Sequence, residues 1–287
     1  MRKPSKILLQ TTIPTTTDDW SVARFELLRA HLAGLKDEAG DPVSAVTARD
    51  RAPLGNPDPV LGNLGTSDYE ALWLFAVDSG DNLTAEDCAG ITAFRRRGGG
   101  IMVTRDHMDL GSSICTLGGI GAAHHFHNHN VNPDGAQHQI DDPYTTYISW
   151  PNFHSGANGD YQEIIVAGPR HPVLQGVRYL PAHPHEGDVS APPGDASARV
   201  IATSKSIVTG RAFNLAVAFE ASDAGGPAIA QSTFHHFADY NWDPASGCPS
   251  FVSEPPGHTI ADTPAAQDSI RAYARNVALW LVGRPVT

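Results

Sequence analysis

The chain has 287 residues, enough to bury a large core as one large domain or two small ones, and its 41% apolar content is that of an ordinary globular protein. A net charge of −11 with histidine neutral argues against a nucleic-acid surface, because phosphate binding needs clustered Lys and Arg. No apolar run reaches the roughly 18–20 residues that span a bilayer, and three scattered cysteines, Cys88, Cys115 and Cys248, suit a reducing compartment better than a disulfide framework.

The opening "MRKPSKILLQTTI" is basic, but its apolar run is too short for a secretory segment and reads as a first strand, residues 6–12. A soluble, cytoplasmic protein is expected. "DDWSVARFELLRAHLAGL" follows, with Phe25, Leu28, Leu32 and Leu35 on one helical face and Asp18 or Asp19 able to cap its start. "VSAVTA" (43–48) predicts a second strand. "YEALWLFAV" (69–77) predicts a third, nearly all apolar, as for a strand covered on both faces. The clearest helix lies within residues 83–100. Thr84 and Asp87 form a capping-box pair, Arg95–Arg97 oppose the negative helix end, and Gly98 can take the left-handed position that stops it. "GIMVT" (100–104) is the next strand.

This alternation predicts an α/β protein: a mostly parallel sheet with helices on both faces. Ligands bind beyond the carboxyl ends of such strands, so chemistry is sought after Thr104, in "RDHMDLGSSICTLGGIGAAHHFHNHN". Further strands are expected at 162–168, 198–204, 213–221 and 227–237, then a loop over 240–266 and a last helix from about Thr263 to Val282. No internal repeat or linker is visible, and one domain over residues 1–287 is the simplest account.

Four stretches in this order resemble the ThuA-like (trehalose-utilisation) family, within the class I glutamine amidotransferase-like superfamily. They are "DYEALWLF…LTAEDCAGITAFRRRGGGIMV", "RHPVLQGV…HEGD" (170–188), "GGPAIAQSTFHH" (225–236) and "IRAYARNVALWLVG" (270–283). The resemblance implies a flavodoxin-like three-layer sandwich and a link to carbohydrate-type small molecules. In the amidotransferase relatives a cysteine occupies the turn after the "GGG" strand, and ThuA-like proteins usually carry a histidine there. Here Arg105, Asp106 and His107 stand nearest.

No cysteine sits in a nucleophile elbow, so a cysteine glutaminase is not expected; Ser112 and Ser113 lack an elbow as well. Two chemistries remain. A divalent transition metal (Zn, Mn, Fe or Ni) could be held by His125, His127 and His129, which alternate in "HHFHNHN", with His235 and Asp239 from "FHHFADYNWD". Metal-free acid–base work would use Asp106, His107, Glu186 and His236, with Arg105 neutralising an anionic intermediate. His171, His183 and His185 flank prolines and read as turn-fixing residues. Loop aromatics Tyr144, Tyr147, Trp150, Phe153 and Trp242 could stack on a sugar ring or pin their loops.

The expected function is that of an enzyme on a carbohydrate-like or keto-sugar substrate, by histidine-based hydrolysis, elimination or isomerisation. The alternative is a non-catalytic small-molecule-binding or assembly protein on the same fold. No G-x-G-x-x-G follows the first strand, so no nucleotide cofactor is expected. The expected partner is a small-molecule substrate, not a nucleic acid or a membrane, and homo-oligomerisation is compatible with the sequence.

Overall fold

The computed structural model describes residues 3–137, 159–183, 185–207, 210–253 and 255–286. In chain order the elements are β1 (Ser5–Pro14), α1 (Glu26–Ala33), β2 (Ser44–Arg51), β3 (Ala71–Phe75), α2 (Ala85–Arg96), β4 (Gly100–Thr104), β5 (His124–His125), β6 (Tyr161–Glu163) and β7 (Ile165–Val166). They continue with β8 (Tyr179–Pro181), β9 (Asp188–Val189), β10 (Ala198–Lys205), β11 (Ala212–Phe219), β12 (Ala228–Gln231), α3 (Asp239–Trp242) and α4 (Pro264–Leu281).

Eight strands form one sheet in the order β2-β1-β3-β4-β12-β11-β10-β7. β1, β2, β3, β4 and β12 run parallel to one another, while β11, β10 and β7 extend the sheet from β12 by antiparallel pairing. Period-two alternation gives each strand two apolar faces. Ile7, Leu9, Ala71, Trp73 and Phe75 enter one core, with Phe25, Leu28 and Leu32 from the α1 region and Ile270, Tyr273 and Val277 from α4. Leu8, Leu72 and Leu74 enter a second core with Ile91 and Phe94 of α2. The result is the expected three-layer α/β sandwich of flavodoxin-like type. Among the described residues no helix is long and apolar enough to cross a membrane.

The α2 reading holds in detail. Thr84 and Asp87 exchange both capping-box hydrogen bonds, and Gly98 ends the helix at φ +99°. The first helix is shorter than its periodicity suggested. A 3-10 turn fills Val22–Phe25, and α1 starts only at Glu26. Asp18 and Asp19 do not cap it. The carboxylate of Asp239 does, accepting from the backbone N–H of Glu26 (3.0 Å) and Leu27 (2.8 Å). The expected strand at 162–168 is broken into β6 and β7, and the one at 227–237 ends at Gln231 before a 3-10 turn over Phe234–His236.

Candidate active site

β4 and β12 lie side by side in the middle of the sheet, with Thr104 opposite Gln231 at their carboxyl ends. Beyond β4 the chain turns sharply, and Met108 takes a left-handed φ of 55°. Arg105 holds this turn. Its guanidinium donates to the carbonyls of Asp106 (2.5 Å), Met108 (2.8 Å) and Asp188 (3.3 Å) and lies on the face of Phe126, 4.0 Å from the ring centre. Burial lowers the Arg105 pKa to about 10, against the attraction of Asp188 and Asp106, so the group stays charged.

Residues 185–187 pack directly on this turn, and Gly187 makes that approach feasible. A Cβ there would meet the Ser232 carbonyl at 2.5 Å and Arg105 Cδ at 2.6 Å. Three stretches, after β4, before β9 and after β12, are thereby drawn to one place. Between them lies a cavity of about 390 Å³ whose walls include Asp106, His107, His183, His185 and His235. A larger cavity, about 470 Å³, lies by the amino ends of β3 and β4 and is lined by Tyr69, Arg97, Trp280 and Arg284 among others, with no imidazole. Chemistry therefore favours the smaller one.

Asp106 is the centre of the cluster. Its Oδ1 accepts from the backbone N–H of His107 (2.8 Å) and faces His107 Nδ1 at 3.0 Å and His235 Nε2 at 3.8 Å. Burial alone would raise this carboxyl, but the two imidazoles and the backbone hydrogen bond outweigh it and hold it well below the usual carboxylate range. With Nδ1–H directed at Asp106, a neutral His107 carries its lone pair on Nε2. On the other side of the carboxylate, His235 Nδ1 lies 3.4 Å from Asn241 Nδ2.

The His235 ring is stacked between Phe234 (4.0 Å between centres) and His183 (3.5 Å, planes 23° apart), with Trp20 edge-on at 4.8 Å. His183 accepts the backbone N–H of His185 on Nδ1 at 3.0 Å. Burial, reinforced by the surrounding imidazoles, pushes His183 well below the usual histidine range, so it is the neutral member of the stack. His185 packs against His107 at 4.8 Å.

Of the residues expected to be catalytic, Asp106 and His107 line the cavity. Glu186, His236 and Arg105 do not; all three are fully buried behind it. Glu186 accepts from His236 Nε2 (2.8 Å), Gln162 Nε2 (2.6 Å) and Ser232 Oγ (2.7 Å). His236 Nδ1 meets Gln231 Nε2 at 2.7 Å, and the Tyr273 hydroxyl donates to Gln231 Oε1 at 2.6 Å. This chain fastens β12 and α4 to Glu186. Arg105 spends its donors on carbonyls and has no route to an intermediate.

The expected metal ligands do not come together. His125, His127 and His129 do not share one extended strand, because the chain bends back after β5 (His124–His125) and Phe126 N–H reaches the His129 carbonyl (3.1 Å). His125 bonds Asn130 O (2.8 Å) and Ser190 Oγ (2.6 Å), His127 is half-buried, and His129 is exposed with Nδ1 3.5 Å from Asp109. Asp239 caps α1. Only His235 of this set reaches the cavity. Among the described residues no three His, Cys, Asp or Glu side chains are arranged to hold a metal ion.

Sequence reasoning missed His183 and His185 as wall residues. Their signal was the i, i+2 spacing in "HPHE", which puts two side chains on one side of an extended chain. The proline between them makes the same spacing read as a turn. His138, Tyr144, Tyr147, Trp150, Phe153 and His154 lie outside the described residues. Neither the buried Cys88 thiol nor the half-buried Cys115 thiol is activated: burial raises Cys88, and it pushes Cys115 up to about 11.

No protein-family model matches this chain, and no curated protein matches it in sequence. Solved structures do resemble it in fold. A ThuA-like protein of Bacteroides uniformis aligns at TM-score 0.51 and 11% identity, over 99% of this chain and 94% of that one. The N-terminal domain of mmIFT52 aligns at TM-score 0.55 and 12% identity, over 96% and 97%. The glutaminase domain of Trypanosoma brucei CTPS, with bound acivicin, aligns at TM-score 0.51 and 10% identity, over 99% and 96%. Identities this low establish shared architecture and nothing about chemistry.

Proposed function

We propose that this chain is a ThuA-like enzyme that acts on an uncharged, carbohydrate-like or keto-sugar substrate by histidine acid–base catalysis. One observation carries the reading: His107, His183, His185 and His235 meet around the ionised Asp106 in a single cavity at the carboxyl edge of the sheet. Two of these rings flank one carboxylate oxygen, His107 at 3.0 Å and His235 at 3.8 Å, which suits a base and an acid working on one substrate. A neutral His107 would take a proton on Nε2 from the carbon next to a carbonyl, and His235, as its imidazolium, would deliver one to the departing oxygen and be left neutral. That pair of transfers is an elimination. Returning the proton to the neighbouring carbon instead is an isomerisation.

The substrate class follows from the walls. No Lys or Arg lines the cavity among the described residues, which disfavours a phosphorylated or carboxylated ligand. Orientation of the rings favours the metal-free route over a metal-assisted one. His183 and His235 lie face to face, so their in-plane lone pairs do not converge on a common ion.

Proton NMR of glycosides and keto-sugars incubated with the protein in D2O tests this. The wild-type chain should convert at least one keto-sugar or exchange the proton beside its carbonyl. His107→Ala should lower that rate by roughly 100-fold or more while the fold is retained. A wild-type protein that binds these sugars without turnover or exchange would instead be a binding module.

A further inference from the structure

The cavity has chemically unlike walls. The imidazoles and Asp106 come from the sheet edge, whereas Trp20, Phe251 and Val252 come from two loops, one after β1 and one after α3. At the surface these loops are tied together. Ser250 donates its backbone N–H to Asp18 Oδ1 (2.7 Å) and its hydroxyl to Asp18 Oδ2. The residues next to this tie, Asp19 and Trp20 on one loop and Phe251 and Val252 on the other, all line the cavity. The tie therefore marks the rim.

The two aromatic rings differ in what they are used for. Trp20 is 5% exposed and packs edge-on against His235, so its surface is spent on the core. Phe251 is 60% exposed although it lines the cavity. A lone exposed apolar side chain is ordinary on a protein surface. Here it stands at the mouth of the imidazole-lined cavity, on a loop whose position is set by the adjacent hydrogen-bonded residue. An aromatic face is electron-rich and favours contact with C–H groups. A pyranose with equatorial hydroxyls offers such a face on its flat side and polar groups around its edge.

We infer that Phe251 is the stacking platform for a sugar ring, which lies on it with its hydroxyl edge toward the imidazoles. The inference rests on the carbohydrate reading above and adds the residue that selects ring configuration. A ring with an axial hydroxyl on the stacked side would lose the flat contact and bind more weakly.

Saturation-transfer NMR with methyl β-D-glucopyranoside and its 3-keto derivative, titrated against the full chain, tests it. Wild type should show the strongest transfer to the C–H protons of one ring face. Phe251→Ala should weaken binding about tenfold or more, the scale of one lost apolar contact, and Phe251→Tyr should restore it. Unchanged affinity in Phe251→Ala overturns the platform and leaves the sugar reading standing. Failure of both sugars to bind wild type overturns the sugar reading and the platform with it. Because Phe251 is largely exposed, folding of the alanine variant is expected to match wild type, and circular dichroism checks this.

Discussion

Asp188 shows how a single buried group writes itself into the pH dependence of the whole chain. Its side chain is almost fully buried, Oδ2 accepts from Asn132 Nδ2 at 2.8 Å, and Oδ1 has no partner among the described residues. Burial raises its pKa to about 7 despite Asn132 and Arg105. In the unfolded chain the same carboxyl loses its proton near pH 3.9. Between these values the folded state holds a proton that the unfolded state has released. Stability from this group is therefore complete below about pH 4 and is lost as pH rises toward 7. Asp188→Asn removes the titration. Urea unfolding should show it matching wild type near pH 4 and exceeding it at pH 8, by on the order of 4 kcal/mol. The sequence offers no hint of this, since an Asp after "HEG" reads as an acidic loop residue. Its burial arises from β5 pairing with β9, where His125 stands opposite Asp188 across the ladder.

Elements whose signals are local were legible; those set by distant contacts were not. α2 is specified by its own capping box and terminal glycine, and β3 and β4 by continuous apolar runs. The start of α1 depends on Asp239, 213 residues from Glu26, which no windowed pattern can see. The candidate site divides in the same way. Asp106 and His107 follow from the rule that ligands meet the carboxyl ends of parallel strands. The demotion of Glu186 and His236 follows from burial, which pattern alone does not supply. Their direct bond joins Glu186 to the turn after β12 and so ties the neighbouring wall residues His185 and His235 to one another. Glu186→Ala would leave the donors of His236, Gln162 and Ser232 without their acceptor in a site closed to solvent. It should cost about 3 kcal/mol in chemical denaturation, and Glu186→Gln should cost less because one acceptor oxygen remains.

For the molecule as a whole, rigidity should be graded across the sheet. β3, β4 and β12 are buried on both faces and lie between paired neighbours, while β7 and β2 are edges with exposed or half-buried residues. Native-state hydrogen exchange should find the slowest amides in β1, β3, β4 and β12 and the fastest strand amides in β7. Slow exchange at Thr104 and Gln231 would mean that the cavity floor belongs to the last unit to open. If the loops bearing Trp20 and Phe251 exchange faster, the rim can adjust to a ligand while the imidazoles stay fixed.

His185 and Glu186 are chain neighbours, as are His235 and His236, and in each pair one residue faces the cavity while the other is sealed behind it. Such alternation leaves no tolerance for a change of phase. Inserting or deleting one residue in either segment would exchange the two partners, turning a carboxylate or its bonded imidazole outward and sending a wall histidine into the sealed layer. Length in both segments is therefore as strict a requirement as residue identity, and drift among descendants of this chain should proceed there by substitution while insertions collect in the outlying loops.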